Sequence, residues 1–461
     1  MIAVPGFEGR KVMVLGLARS GLAAAKALSD GGAEVMAWDD NEKTRDAVAA
    51  EISLSDPASM DWRGVAAMVP SPGIPHSFPK PHPAVDRARA AGVPIIGDIE
   101  LLGRAQPKAR YIGITGTNGK STTTALIGHI LKAAGKTVEI GGNLGPPALG
   151  LEPLGADGFY VLELSSFQLE LVDSLTFDIA ILLNITPDHL DRHGDMAGYI
   201  AAKKRIFARQ GDGAVAIVGI DDVASRDIAA ALRRDGKSRL VPISVGGDAP
   251  GGISTENGWL VDALDGSAER VLDLAKAPRL PGTHNAQNAA TAYAVARCVG
   301  VSGAQAAAAI RTFPGLAHRQ ELVDTIDGVR YINDSKATNA DAVEKALACY
   351  EAIYWIAGGL PKAGGITSLA PYFKRLRHVF LIGNATGEFA ATLDGRVPYT
   401  RCGDLANAVA AASDRARGEQ TPDAVVLLSP ACASYDQLPN FEVRGDIFRQ
   451  LVGSLPGAQP R

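Results

Sequence analysis

Short apolar runs alternate with stretches of helical spacing along nearly the whole chain. In the first segment, residues 12–15 and 34–38 read as strands, with residues 20–29 as the helix between them. Residues 69–75 are too rich in proline for a regular element, residues 93–96 read as another strand, and the polar residues 103–110 read as a linker. In the second segment, residues 159–164 and 179–184 are continuous apolar runs, the pattern of parallel strands covered on both faces. Residues 214–218 and 239–245 continue the alternation, the glycine-rich residues 251–273 suggest a small hairpin excursion, and residues 284–299 an alanine-rich helix. A third segment places strands at 329–332, 352–357, 379–382 and 424–428, and residues 453–461 are expected to fray. The pattern predicts α/β domains with mostly parallel sheets.

At 461 residues the chain is too long for one ordinary core. Hydrophobic residues make up 46% and charged residues 21%, as in soluble globular proteins. A formal charge of -4 argues against a nucleic-acid binder. The four cysteines, Cys298, Cys349, Cys402 and Cys432, lack CxxC spacing, which favours reduced thiols over disulfides or a zinc site. No apolar run is long enough to span a bilayer and residues 1–9 do not resemble a signal peptide, so a cytoplasmic protein is expected.

The most informative stretch is Thr115-Gly-Thr-Asn-Gly-Lys-Ser-Thr-Thr123, between an apolar strand and a helical pattern. Gly116, Thr117, Asn118 and Gly119 let backbone N–H groups close on phosphate oxygens, Lys120 adds a point charge, and the hydroxyl of Ser121, with Thr122 beside it, can bind the magnesium that travels with ATP. A strict Walker A motif would have glycine where Ile114 stands, so this is a variant. Nucleotide binding is the expectation.

Gly16-Leu-Ala-Arg-Ser-Gly21, with Asp39 closing the next strand, has the form of a dinucleotide fingerprint. It equally suits another nucleotide diphosphate, or a plain tight turn. Glu163 ends an apolar strand, where an unpaired carboxylate is costly and magnesium beside a phosphate loop is a fitting partner; capping of the next helix is the alternative. His189, in Asn184-Ile-Thr-Pro-Asp-His-Leu-Asp191, follows another buried strand and can be a metal ligand, a phosphate contact or simply structural. Residues 201–205, including Lys203, read as a solvated helical face. Asn333-Asp-Ser-Lys-Ala-Thr-Asn339 and Ser429-Pro-Ala-Cys-Ala-Ser434 are strand-end loops of the third segment, where Lys336 and Thr338 suit a carboxylate-bearing substrate and can also cap a helix.

With these stretches in order, the chain resembles the Mur ligases of peptidoglycan synthesis from about Gly16 to Phe448. Glu163-Leu-Ser-Ser-Phe-Gln-Leu-Glu170, residues 333–339 and residues 428–434 look like the glutamate-adding member of that family. The resemblance implies three domains, namely a Rossmann-like domain (1–106) for the UDP-linked substrate, a P-loop ATPase-like domain (107–313) for ATP, and a Rossmann-like domain (314–461) for glutamate. It implies ATP-driven joining of D-glutamate to UDP-N-acetylmuramoyl-L-alanine through an acyl phosphate, with no nucleic-acid or membrane partner, by a monomer. Leu17, Arg19, Ser20, Asp39, Asp40, Ser71 and Gly73, with Asn143, Ser165 and His189, fall on positions for the UDP-linked substrate. Lys120, Asn288, Arg319 and Asp334 fall on ATP positions. Ser121, Glu163 and His189 match magnesium ligands or their neighbours, with two magnesium sites expected, and Lys203 aligns with a lysine the family carries as a carbamate. Lys336, Thr338, Lys362, Ser434 and Phe441 fall on glutamate positions. The chain departs from the family pattern at Gly358-Gly-Leu-Pro-Lys362, where an Asp-Gly-Lys sequence is usual, and at Thr283 and Tyr435. Folylpolyglutamate synthase shares the phosphate loop and is the nearest chemical alternative. A nicotinamide-dependent oxidoreductase would leave that loop unexplained, and intact Lys120, Glu163 and Lys336 argue against a non-catalytic nucleotide-binding regulator.

Overall fold

The structure is a computed structural model that describes residues 1–362 and 364–459. The fold is α/β, in two compact units: Met1–Ala277 with Asn285–Phe313, and Pro278–His284 with Pro314–Arg461. Among the described residues, no helix is long and apolar enough to cross a membrane.

The first unit holds two sheets. Strands β1 (Lys11–Leu15), β2 (Glu34–Trp38) and β3 (Val65–Pro70) form a parallel sheet in the order β2-β1-β3. The expected strand at 93–96 is reduced to a single bridge between Ile95 and Met68. Pro94 has no N–H to give a ladder, although its carbonyl accepts from Met68 N at 2.9 Å. Strand β3 was hidden because it runs into the proline-rich loop and ends on Pro70 itself. The linker expected at 103–110 shrinks to a few residues, since the helix Asp98–Ala105 occupies its start and the next strand its end.

The second sheet has nine strands: β4 (Arg110–Thr115), β5 (Val138–Gly142), β6 (Phe159–Glu163), β7 (Ile179–Leu182), β8 (Val215–Gly219), β9 (Arg239–Ser244), β10 (Ile253–Glu256), β11 (Trp259–Asp262) and β12 (Glu269–Asp273). Their order is β12-β11-β10-β9-β8-β7-β4-β6-β5. The glycine-rich stretch at 251–273 is therefore not a detached hairpin. Ile253 and Ser254 pair in parallel with Ile243 and Ser244, and β11 and β12 extend that edge antiparallel. All of β6 and β7 is buried, as continuous apolar runs require. Thr115 and Glu163 therefore stand at neighbouring strand ends, the place where parallel sheets bind ligands.

The second unit has one sheet of β13 (Glu321–Ile326), β14 (Val329–Asn333), β15 (Ala352–Gly358), β16 (Leu376–Ile382), β17 (Tyr399–Gly403) and β18 (Ala424–Leu428), in the order β13-β14-β18-β15-β16-β17. It is parallel except for β13 against β14. The sequence pattern missed β13 and β17 because both are edge strands with few buried positions. Residues after Gly453 are tied down as far as Gln459, whose N–H donates to Asp324 Oδ2 at 3.1 Å, contrary to the expected fraying. Pro460 and Arg461 lie outside the described residues.

One buried carboxylate fixes how the first unit's segments meet. Glu100, fully buried, accepts from the backbone N–H groups of Asp173 and Ser174 at 2.9 and 2.8 Å and from Arg104 Nε at 2.9 Å. Burial pushes its carboxyl up, but the Ser174 hydroxyl and the two backbone donors outweigh burial and hold it at about 2. A carboxyl lowered on folding stabilises fully above its unfolded value near 4.5, and the contribution fades as pH falls from there toward 2. Glu100→Gln is expected to cost about 3 kcal/mol at pH 7 and much less near pH 3. Urea melts at both pH values check this; an equal loss at both would contradict it.

Candidate functional site

The phosphate-type loop leaves β4 at Thr115 and enters the helix Lys120–Ala133. Gly119 takes φ 85°, a left-handed conformation that caps the helix start, and a Cβ there would lie 2.4 Å from Asn288 Oδ1. Lys120 Nζ donates to the carbonyls of Gly116 and Thr117, both at 2.9 Å. Asn118 N–H donates to Asn184 Oδ1 at 2.9 Å, and Asn184 Nδ2 donates to Gln287 Oε1 at 2.9 Å. Thr123 Oγ1 donates to Asn288 Oδ1 at 3.0 Å, which ties Asn288 to the helix that follows the loop. Ser121 is buried at the first turn, with Thr122 beside it half-buried.

Glu163 is 3% exposed at the end of β6. Asn143 Nδ2 donates to its Oε1 at 2.8 Å, while Oε2 is buried without a hydrogen-bond partner. A buried carboxylate oxygen without a hydrogen-bond partner, at the end of the strand beside β4, is a fitting magnesium ligand. Among the described residues no three His, Cys, Asp or Glu side chains cluster for a metal. Magnesium takes one or two carboxylates and completes its shell with phosphate and water oxygens.

Lys203 corrects the sequence reading. It is not on a solvated face but only 2% exposed, while Lys204 and Arg205 do face solvent. The helix Met196–Lys204 turns Tyr199, Ala202 and Lys203 inward, and Lys203 Nζ donates to Gly116 O at 2.8 Å. Burial and the nearby Lys120 hold its amine well below the usual lysine range, opposed by Asp188 and Glu163. His189 is half in solvent, 5.0 Å ring to ring from Phe167 and 3.5 Å from Asp188 Oδ2. Tyr199, whose hydroxyl lies 3.2 Å from Thr117 Oγ1, and Gln287 also belong to this site; the sequence reading missed both. Helical spacing of four from Tyr199 to Lys203 could have signalled their shared face.

A cavity of about 530 Å³ opens beside Gly16, walled by Arg19, Ser20, Asp39, Asp40, Ser71, Gly73, Asn143 and Gln168 among others. Seven of the expected positions meet here. Leu17 does not line it, but its N–H donates to Asp39 Oδ2 at 2.7 Å; Ser165 and His189 are not on its wall either. Gly16 takes φ 85°, and a Cβ there would lie 2.8 Å from Ser71 Oγ, so the fingerprint glycine is required by a close approach. Ser165 caps the helix Ser166–Glu170 in a reciprocal box with Gln168.

In the second unit, Asp334 directly follows β14 in a buried position, accepting from Ser429 Oγ at 2.8 Å and Gln320 N at 3.2 Å. Burial pushes its carboxyl up to about 7, against those donors and Arg319. Lys336 Nζ stands 5.3 Å from the Phe441 ring centroid, Thr338 is half-buried, and Ser434 is 3% exposed with its hydroxyl buried and unpartnered. Lys362 is exposed in the loop after β15. Arg444, which the sequence reading missed, donates to Ser335 O at 2.8 Å and Cys432 O at 3.1 Å, tying together the two loops that carry Lys336 and Ser434. Burial pushes it down to about 10. Its spacing from Phe441 and Phe448, on one helical stripe, was the available signal.

The fold and these loops define an α/β protein with a glycine-rich loop of the phosphate-binding type, a strand-end carboxylate and a cavity beside the first sheet. Comparison with known proteins narrows the class. Residues 114–296 match the Mur ligase middle domain and residues 318–432 the Mur ligase glutamate ligase domain. The chain is 56% identical over 453 residues, 98% of both chains, to the UDP-N-acetylmuramoylalanine--D-glutamate ligase of Paramagnetospirillum magneticum. It is 54% identical to the enzyme of that name from Rhodospirillum rubrum, over 99% of this chain and 97% of the relative. Among solved structures, UDP-N-acetylmuramate-alanine ligase from Thermotoga maritima shares the fold at TM-score 0.57 and 17% identity, covering 96% of this chain and 98% of that one. MurF from Acinetobacter baumannii does so at 0.56 and 20%, covering 86% and 93%. The chain belongs to the Mur ligase family.

Gly119→Ala is expected to weaken an ATP analogue by at least about ten-fold, because the added methyl strikes Asn288 and the left-handed turn resists it. Calorimetric titration with folding checked by circular dichroism tests this; unchanged affinity in a folded variant would contradict the site.

Proposed function

We propose that this chain is the ATP-dependent ligase that joins D-glutamate to UDP-N-acetylmuramoyl-L-alanine. One observation carries the reading: 56% identity across 98% of the chain to a relative of that name. The alternative, folylpolyglutamate synthase, is disfavoured by the same full-length match. Residues 1–106 are assigned to the UDP-linked substrate, 107–313 to ATP and 314–461 to glutamate.

The substrate carboxylate attacks the γ-phosphorus of ATP, the bond to the β,γ-bridging oxygen breaks, and ADP leaves. An acyl phosphate remains. The glutamate amine then attacks the acyl carbon, and the tetrahedral intermediate expels phosphate and loses a proton to give the amide. Two carboxylates and a triphosphate repel one another, so Lys120 and Arg319 serve to offset charge as it develops on the transferring group. Backbone N–H groups of Gly116–Thr122 cradle the phosphates, and Asn288, Arg319 and Asp334 are assigned to ATP. Arg19, Ser20, Asp39, Asp40, Ser71, Gly73 and Asn143, with Leu17, Ser165 and His189, hold the UDP-linked substrate. Lys336, Thr338, Ser434, Phe441 and Lys362 hold glutamate.

Glu163, Ser121 and His189 are the residues assigned to magnesium, which when bound neutralises phosphate charge. Lys203 is assigned as a carbamate: its neutral amine adds carbon dioxide and releases a proton, turning a buried amine into an anion that would hold a second magnesium. The suppressed basicity of Lys203 supports this, because only the free amine reacts. The enzyme is placed in the cytoplasm as a monomer.

Phosphate release is measured with ATP, magnesium and UDP-N-acetylmuramoyl-L-alanine, offering D- and L-glutamate separately. Turnover with the D isomer alone is expected, and none with either would refute the reading. Lys120→Ala is expected to lower turnover by about a thousand-fold or more, as loss of transition-state charge stabilisation does. For Lys203, carbon-13 NMR in labelled bicarbonate is expected to show one carbamate resonance that Lys203→Arg abolishes; an identical spectrum in both proteins would rule the modification out.

A further inference from the structure

The wall of the cavity that carries Ser71 and Gly73 is a loop without regular structure, so contacts from elsewhere must fix its shape. Two reach it. Arg192, in the short helix Leu190–His193, donates from Nη1 to Gly73 O at 2.7 Å. Its guanidinium lies 4.6 Å from the ring centroid of Phe167, where a planar cation stacks well on an aromatic face. Further along the loop, His76 Nε2 stands 3.3 Å from Glu170 Oε2, and Glu170 Oε1 stands 3.4 Å from His193 Nδ1. His193 Nε2 is in turn 2.9 Å from Ser166 Oγ, and its ring stacks on Phe167 at 5.4 Å.

These side chains are shielded: His193 is 1% and His76 10% exposed. Burial, with Arg89, Arg192 and Arg205 nearby, pushes His76 down to about 4, so its ring is neutral at physiological pH. A neutral ring leaves the buried, unpartnered Nδ1 of His76 as a bare acceptor rather than a stranded donor. The group joins three segments distant in sequence: the cavity loop, the helix that follows Glu163, and the helix that follows His189. None of its members carries charge or phosphate in the reaction assigned above. Its geometry serves to hold those segments in register.

We propose that Arg192 is a positioning residue for the UDP-linked substrate, holding the Gly73 wall of the cavity to the strand-end helices, with Glu170 between His76 and His193 as the second point of the same latch. The inference rests on the assignment of this cavity to that substrate. The full chain is titrated calorimetrically with UDP-N-acetylmuramoyl-L-alanine and, separately, with a non-hydrolysable ATP analogue. No binding of the UDP-linked ligand to the unaltered protein refutes the cavity assignment, and the latch's role with it. Where the unaltered protein binds, Arg192→Met is expected to weaken the UDP-linked ligand about ten-fold and the ATP analogue by less than about two-fold, as loss of one charge-assisted hydrogen bond implies. Arg192→Lys keeps a donor for Gly73 O and is expected to recover part of the loss. Unchanged affinity in Arg192→Met, or equal losses for both ligands, overturns the latch while leaving the cavity assignment standing. Should Arg192→Met not fold, Glu170→Gln carries the same ligand-selective expectation and the same refuting outcomes.

Discussion

Two lysines share one carbonyl. Lys120 and Lys203 both donate to Gly116 O, at 2.9 and 2.8 Å, inside a site where Lys203 is almost wholly buried. Two full positive charges so close, in a place poor in water, are costly. Burial and the neighbouring Lys120 lower the basicity of Lys203, and Asp188 and the buried Glu163 oppose them. Much of the site follows from that balance. The loop is pinned from both sides, Glu163 Oε2 has no hydrogen-bond partner, and the helix Met196–Lys204 holds the Lys203 amine beside the loop.

The same economy of charge appears in the second unit. Asp334 and Arg444 are both buried, and burial moves each toward its neutral form. Each is held mainly by uncharged partners, Asp334 by Ser429 and Gln320, Arg444 by Ser335 and Cys432. Groups built this way keep their loops rigid while leaving Lys336 and Thr338 at a strand end.

The elements read most easily from the sequence were those whose burial is complete. The strands β6, β7, β15 and β18 are buried along their whole length and show as unbroken apolar runs. Edge strands β13 and β17 are half solvated and leave little pattern, while the apparent strand at 93–96 could not survive Pro94. In the site, the phosphate loop and Glu163 were legible because glycine, lysine and a strand-end carboxylate carry their chemistry locally. Lys203 was not, since its burial depends on a loop nearly ninety positions away. Arg444 and the His76–Glu170–His193 group were missed for the same reason: their partners come from distant segments.

The central claim is that the γ-phosphate passes to a carboxylate on the way to an amide. Oxygen transfer tests it most directly. With the L-alanyl carboxylate of the UDP-linked substrate labelled with oxygen-18, phosphorus-31 NMR of the released phosphate reports where the leaving oxygen came from. The account predicts one labelled oxygen in each phosphate released during ligation. Phosphate without label, formed while amide accumulates, would contradict it.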